Sequence, residues 1–202
     1  MTPQLFLVPI AYVLGATPTS HWIARAFYGV DLRKEGSGNL GATNTYRVLG
    51  WRAAVPVVII DVLKGWAPTA AFPLLAPGAF QWTIAYGAAA ILGHVFSFWI
   101  GFCGGKGVAT SAGVFAALTP MATLIALGVW LGVVSTTGYV SLGSILGAVA
   151  LATSTLLIPP SGGGTVSAFT IVLAGFILWA HRGNVVRLVR GEERRFGKRR
   201  GP

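Results

Sequence analysis

Charge is scarce in this 202-residue chain. Asp, Glu, Lys and Arg make up only 10% of it, against about 25% in an ordinary soluble domain. Together with 54% hydrophobic residues, that shortfall excludes both an ordinary cytosolic globule and a disordered chain. Carboxylates are scarcer still, five in all: Asp31, Glu35, Asp61, Glu192 and Glu193. A carboxylate-held two-metal centre cannot be assembled from so few. The one cysteine, Cys103, excludes an intramolecular disulfide and a cysteine-based structural zinc site. His21, His94 and His181 lie far apart and form no local metal-ligand motif. No metal and no cofactor is expected.

What the chain does have is long apolar runs. Its 28 glycines and 11 prolines are scattered among them without a period, as in transmembrane helices, where both residues are more frequent than in soluble ones. A spanning helix needs about 20 mostly apolar residues. Residues 4–24, 53–76, 82–101, 140–158 and 165–180 each supply a span, and 108–137 forms a longer block. The first run has no basic segment ahead of it and its charges follow it, so it reads as a retained helix rather than a signal peptide. The expected fold is all-α: one polytopic integral membrane domain over residues 1–202.

The charges sort by loop. Segment 25–52 carries Arg25, Arg33, Lys34, Arg47 and Arg52, the hinge 102–107 carries Lys106, and the tail 181–202 carries eight Lys or Arg against two Glu. Linkers 76–82 and 159–165 carry none. The positive-inside rule places the basic segments in the cytoplasm, the N-terminus outside and the C-terminus inside. The chain must then cross an even number of times between Lys106 and His181. A fold-back near Thr119-Pro120 gives this, with 108–118 a short crossing and 121–137 the return, because proline breaks a helix interior. Seven helices result; the alternative is five, with part of 108–158 not spanning. Gly128-x-x-x-Gly132 and Gly143-x-x-x-Gly147 fit close helix packing or are incidental in a glycine-rich chain.

A net charge of +10 suits an anionic partner. Nucleic acid fits poorly with a chain that lies mostly in lipid; the bilayer itself is the expected partner. Three polar segments interrupt the apolar pattern. In Asp31–Arg47, Gly36, Gly38 and Gly41 permit turns that form an anion-binding nest, with Ser37, Asn39, Thr43 and Asn44 as neutral donors and Arg47 as a forked cation suited to phosphate. The bland alternative is a flexible loop. The segment Gly101–Ser111 resembles a P-loop but is one residue short, has Gly107 where a magnesium-binding Ser or Thr belongs, and follows no strand. Nucleotide hydrolysis is rejected. Gly104, Gly105 and Lys106 still offer amides and an ammonium at the start of a helix. In the third segment a helix would put His181, Asn184, Arg187 and Leu188 on one face. The tail beyond Arg194 reads as a topology and lipid-surface signal. Asp61 and Lys64 stand one turn apart inside a span, an intramembrane pair of functional or structural use. His94 and His21 read as structural hydrogen-bonding groups.

Together these segments resemble the bacterial membrane acyl-phosphate:glycerol-3-phosphate acyltransferases. The family pattern GSGN-x-GAT-N-x-x-R matches through Ser37 to Arg47, D-x-x-KG matches Asp61, Lys64 and Gly65, and GGKGVAT matches Gly104 to Thr110. HR-x-N-x-x-RL-x-x-G-x-E matches His181, Arg182, Asn184, Arg187, Leu188, Gly191 and Glu193. The chain departs from the family at Ala16, Ser97, Cys103 and Gly138, where Ser, Pro, Lys and Arg are usual. The resemblance implies seven transmembrane helices in the bacterial cytoplasmic (inner) membrane, with the motifs at the cytoplasmic face. It implies transfer of an acyl group from acyl phosphate to the 1-hydroxyl of glycerol 3-phosphate, giving lysophosphatidic acid, the first step of phospholipid synthesis. An enzyme that makes acyl phosphate is the matching protein partner.

No His is followed four residues later by Asp, and no G-x-S-x-G elbow occurs. An acyl phosphate is a mixed anhydride, so direct attack by the glycerol 3-phosphate hydroxyl suffices without an acyl-enzyme. Positioning and phosphate neutralisation are then the protein's task. Ser37, Arg47 and Lys106 are the expected phosphate holders, with Gly104 and Gly105 amides beside them and Gly38, Asn39, Thr43, Asn44, Lys64, Arg187, Glu193 and Ser141 as further contacts. The resemblance adds His181 and Asn184 as essential. His181 would hold the hydroxyl or take its proton, or the donor phosphate would take it. The rival is an organic-phosphate transporter, which would show an inverted repeat that is not evident here.

Overall fold

The first apolar run does not form a single helix. In the computed structural model, which describes residues 2–197, α1 spans Pro3–Ala16 and α2 spans Thr19–Tyr28. The expected crossing over residues 4–24 is broken at Thr17-Pro18. Proline has no N–H to donate, and its ring drives the preceding residue out of the helical region; Thr17 sits at φ −52°, ψ 112°. The break orphans carbonyls at the end of α1. Two side chains from other helices reach them. Lys64 Nζ donates to the Thr17 carbonyl at 2.8 Å, and the Ser97 hydroxyl donates to the Ala16 carbonyl.

α3 Ala42–Leu49 forms within the first polar segment; α4 Trp51–Leu75, α5 Gln81–Val95 with a 3-10 turn at Phe98–Ile100, α6 Val108–Leu118, α7 Pro120–Thr137, α8 Val140–Leu157 and α9 Gly163–Ala180 follow the apolar runs; α10 Arg182–Val189 again lies in a polar segment. No strand occurs among the described residues. The break expected near Thr119-Pro120 is present, and Pro120 opens α7 as its first residue, where a missing N–H has no partner to lose. Of the basic tail 181–202, residues 198–202 lie outside the described residues.

Five described stretches are long and apolar enough to cross a membrane: α4, α5 with its 3-10 extension (Gln81–Ile100), α7, α8 and α9. At ~1.5 Å per residue, the 14 residues of α1 reach about 21 Å and the 11 of α6 about 16 Å, short of a hydrocarbon core of ~30 Å. A short α6 was expected from the sequence; a short α1 was not.

The chain forms two compact units, one ending at Leu118 and one beginning at Thr119. In the first, helices touch backbone to backbone at glycines. A Cβ on Gly65 would overlap the Thr110 carbonyl, and one on Gly113 would overlap the Val62 carbonyl, so α4 and α6 meet through reciprocal glycines. Gly15 against Ala90 and Gly93 against Tyr12 do the same for α1 and α5. Where lipid removes the hydrophobic drive between helices, such close approach is what holds them. Tyr86 and Phe115 fill the interior, and Phe72 meets Tyr86 edge to face with centroids 5.4 Å apart.

In the second unit the two GxxxG pairs part company. Built Cβ atoms on Gly143 and Gly147 lie 3.2 and 3.3 Å from the Trp130 and Ala126 carbonyls, so this pair packs α8 on α7. Gly128 and Gly132 face nothing within 4 Å. Hydroxyls join α8 to α9: Thr155 and Thr170 Oγ1 lie 2.7 Å apart, and Ser167 Oγ donates to the Thr155 carbonyl at 2.9 Å.

Gly113→Ala should lower stability by about 1–3 kcal/mol through overpacking against α4. Gly132→Ala, on an open face, should leave it unchanged or raise it by up to ~1 kcal/mol from helix propensity. Thermal unfolding of each variant in detergent checks the pair.

Candidate active site

In the first unit, the polar loop after α2 is folded by its own side chains. Gly36 and Gly38 sit at φ 64° and 72°, the left-handed region glycine occupies without strain. Asn44, fully buried on α3, reaches back into the loop. Its Oδ1 accepts the Ser37 N–H at 2.8 Å, and its Nδ2 donates to the Leu32 and Glu35 carbonyls at 3.3 and 3.0 Å. Ser37 is thereby fixed while remaining exposed. Gly38 and Asn39 follow it in the loop, Thr43 lies in the first turn of α3, and Arg47 lies one turn beyond Asn44, half-buried.

The entrance to this loop is held by Asp31. Arg33 grips its carboxylate with two nitrogens, Nε to Oδ1 at 2.9 Å and Nη2 to Oδ2 at 2.7 Å, while Arg25 and His21 stand 3.7 and 3.8 Å away. The Arg33 hydrogen bonds hold the Asp31 carboxyl well below the usual carboxylate range. This hub was not singled out from the sequence; the signal was Asp-x-Arg immediately before a glycine-rich turn.

The Gly104–Gly107 turn leads into α6. Its first two amides are already in use: Gly104 N–H donates to the Val95 carbonyl at 2.8 Å and Gly105 N–H to the His94 carbonyl at 3.2 Å. Gly104 and Gly105 therefore dock the turn on α5. Lys106 follows, half-buried. Phe102, just upstream, has φ 61°, a strained value for a residue with a Cβ. Leu40 and Gly104-Gly105 line one small cavity with Thr17, Lys64 and His94, so the two glycine-rich segments are neighbours. Lys64 pairs with Asp61 at 2.9 Å besides its bond to Thr17. It serves the framework as a cation, as Asn44 does as an amide.

The second unit gathers the third segment around Glu193. Its Oε1 accepts Asn184 Nδ2 at 2.7 Å and Ser141 Oγ at 2.8 Å; its Oε2 accepts Arg187 Nε at 2.7 Å. Burial opposes ionisation, but the bonds from Asn184, Arg187 and Ser141 outweigh it and keep the carboxyl below its ordinary range. Glu193 is thus the acceptor that ties α8, α10 and the C-terminal segment together. Both of its carboxylate oxygens are in use within the fold. The expected shared face is present: His181 and Asn184 are buried and Arg187 and Leu188 half-buried, while Arg182, Val186 and Val189 are exposed. His181 forms the α9–α10 junction, with Nδ1 2.8 Å from the Ile177 carbonyl. A carbonyl only accepts, so Nδ1 carries the proton and Nε2 is the basic nitrogen of the neutral ring. Among the described residues no three His, Cys, Asp or Glu side chains gather as metal ligands.

The family model described as glycerol-3-phosphate acyltransferase matches residues 5–191. A glycerol-3-phosphate acyltransferase of Geobacter sulfurreducens is 42% identical over 196 residues, 97% of this chain and 99% of that one. The crystal structure of PlsY (YgiH), an integral membrane glycerol 3-phosphate acyltransferase, in its glycerol 3-phosphate form has a TM-score of 0.90 and 39% identity, covering 96% of each chain. The lysophosphatidic acid form has a TM-score of 0.86 and 36% identity over 96% of this chain and 95% of that one. This is a multi-pass membrane enzyme, an acyltransferase. More particularly, the chain belongs to the glycerol-3-phosphate acyltransferase family.

Glu193→Ala takes the acceptor from buried Asn184 and Ser141 and should cost about 1–3 kcal/mol of stability. The pH dependence has a definite sign. A lowered folded value means the carboxylate's contribution is whole above the ordinary Glu pKa of ~4.3 and is lost as pH falls through the folded value. Thermal unfolding in detergent should therefore fall more steeply on acidification below about pH 4.3 in the parent protein than in Glu193→Gln.

Proposed function

We propose that this chain transfers a fatty acyl group from acyl phosphate to the 1-hydroxyl of glycerol 3-phosphate, releasing lysophosphatidic acid and inorganic phosphate. The observation that carries the reading is the full-length likeness to PlsY in forms named for glycerol 3-phosphate and lysophosphatidic acid. The first names an acceptor and the second its acylated product, so an activated acyl donor completes the balance.

The hydroxyl oxygen attacks the donor's carbonyl carbon, the C–O bond to phosphate breaks, and phosphate leaves with the electron pair. A mixed anhydride is reactive enough that the protein's work is positioning and charge neutralisation. Ser37, Arg47 and Lys106 hold phosphate oxygens, aided by Gly38, Asn39 and Thr43. Their support is chemical: an exposed serine whose main chain is held by Asn44, and two half-buried cations beside glycine-rich turns. His181, with Nε2 basic, receives or steadies the attacking hydroxyl's proton; the leaving phosphate is the other acceptor for it. Asn184 is held by Glu193, and Arg187 keeps its terminal nitrogens for an anion. The apolar chain of the donor lies among the helices, reached from the bilayer.

The membrane arrangement proposed with this reaction keeps the N-terminus outside, the C-terminus inside and the catalytic residues facing the cytoplasm. α1 with α2 makes the first crossing and α6 a short one, seven in all. The partner supplying the donor is an enzyme that makes acyl phosphate.

Purified protein in lipid with labelled glycerol 3-phosphate should form lysophosphatidic acid from palmitoyl phosphate and none from palmitoyl-CoA; product from the CoA ester alone would overturn the donor assignment. In the same assay His181→Ala should lower kcat by at least ~100-fold, the usual worth of an acid–base group. Arg47→Ala should raise one substrate's KM by roughly 10- to 100-fold, the ~1.5–3 kcal/mol of a charge-assisted hydrogen bond.

A further inference from the structure

Three buried polar side chains of the first unit have no task in the proposed reaction: Asp61 and Lys64 on α4, and His94 on α5. They are 2%, 8% and 7% exposed. Charges inside a membrane bundle are costly, and well-packed apolar residues hold helices together as well or better. Their geometry points at one target. Lys64 Nζ lies 2.9 Å from Asp61 Oδ1, and His94 Nδ1 lies 3.8 Å from the same oxygen. The opposite edge of the imidazole lies against the Gly104–Gly107 turn: a Cβ on Gly105 would overlap His94 Nε2 and come within 2.9 Å of Cε1. The main chain of His94 adds its carbonyl to the Gly105 N–H. A run of neighbours thus leads from the Thr17 carbonyl through Lys64, Asp61 and His94 to Gly105, the residue before Lys106, with the 3.8 Å between Asp61 and His94 a packing contact and no hydrogen bond. The cavity beside them, lined by Lys64, His94, Leu40 and Gly105 among others, measures about 10 Å³, room for at most one water.

We propose that His94 is a positioning residue for Lys106: its imidazole, braced from behind by the Asp61–Lys64 pair, fixes the Gly104–Gly105 turn and so sets where the Lys106 ammonium meets a substrate phosphate. The inference rests on the phosphate-holding role of Lys106. It gives the Asp61–Lys64 pair a purpose that helix packing alone does not, because a brace must resist displacement along one direction. Removing the ring lets the turn relax into the vacated space and moves the ammonium, which weakens phosphate binding and leaves the acyl carbonyl chemistry alone.

The test is a double-mutant cycle of His94→Ala and Lys106→Arg in lipid, varying glycerol 3-phosphate and acyl phosphate separately. His94→Ala should raise, by about 10-fold, the KM of the same substrate that Lys106→Arg affects, since even a 1 Å misplacement costs up to ~100-fold. Its kcat should stay within about two-fold, and in the Lys106→Arg background it should add less than about two-fold, the non-additivity of residues acting through one another. Gly105→Ala presses on the ring from the other side; it should raise the same KM, and His94→Ala should relieve part of that rise. Additive losses in the cycle, a kcat loss with both KM values unchanged, or no relief of Gly105→Ala overturns the proposal. Should His94→Ala fail to fold, His94→Gln carries the same comparisons. Failure of the underlying reading looks different: Lys106→Arg would then change neither KM.

Discussion

The first unit depends on how the carbonyls at the Thr17-Pro18 break are satisfied. In a hydrocarbon setting an orphan carbonyl costs several kcal/mol, and no water is at hand to relieve it. Lys64 reaches the Thr17 carbonyl and Ser97 the Ala16 carbonyl. An ammonium in that place needs a carboxylate, which Asp61 supplies from the preceding turn of the same helix. A single proline thus accounts for a buried cation and a buried anion on α4 and for a hydroxyl just past α5. It also ends α1 early and starts α2 afresh. α2 then delivers the chain to Asp31, where the polar loop begins.

Three carboxylates in this chain serve the framework. Asp31 gathers Arg33, Arg25 and His21; Asp61 holds Lys64; Glu193 gathers Ser141, Asn184 and Arg187. Each organises a different set of elements, and together they use three of the five acidic residues. For a protein proposed to act on two phosphorylated substrates, this arrangement has a physical logic. Each of the three anions has its charge matched by donors or a cation beside it. On the proposed reading, Arg47 and Lys106 supply the positive potential a phosphate needs.

The sequence made most helix boundaries readable because apolar runs of spanning length leave few alternatives. The Thr119-Pro120 break was readable for the same reason proline is readable elsewhere. The Thr17-Pro18 break was not, because the run around it stays apolar and hydropathy does not register a hydrogen bond that has been handed to another helix. The candidate residues were named from sequence motifs, yet which of their polar groups bond within the fold was hidden. Asn44, Glu193, Gly104 and Gly105 carry the polar groups of a phosphate site, and only three-dimensional pairing shows those groups already engaged. Departures from the family pattern also find partners only in the fold. Ser97 and Ala16, two such positions, bond to each other. Gly138 lacks the usual Arg, and there Arg195 packs on it with its guanidinium 5.2 Å from the Tyr139 ring.

The reciprocal glycine contacts between α4 and α6, and between α1 and α5, have a consequence for how the gene can change. Every single-base substitution in a glycine codon that alters the amino acid adds a Cβ. At Gly65, Gly113, Gly15 and Gly93 that atom would land on a facing backbone carbonyl, which has no rotamer by which to retreat. Among the one-step changes that replace the residue, these four codons have none that escapes that clash. Drift that retunes the enzyme to a different membrane or acyl chain is therefore channelled elsewhere, toward open faces such as that of Gly128 and Gly132, while the axes on which the helices cross are inherited unchanged.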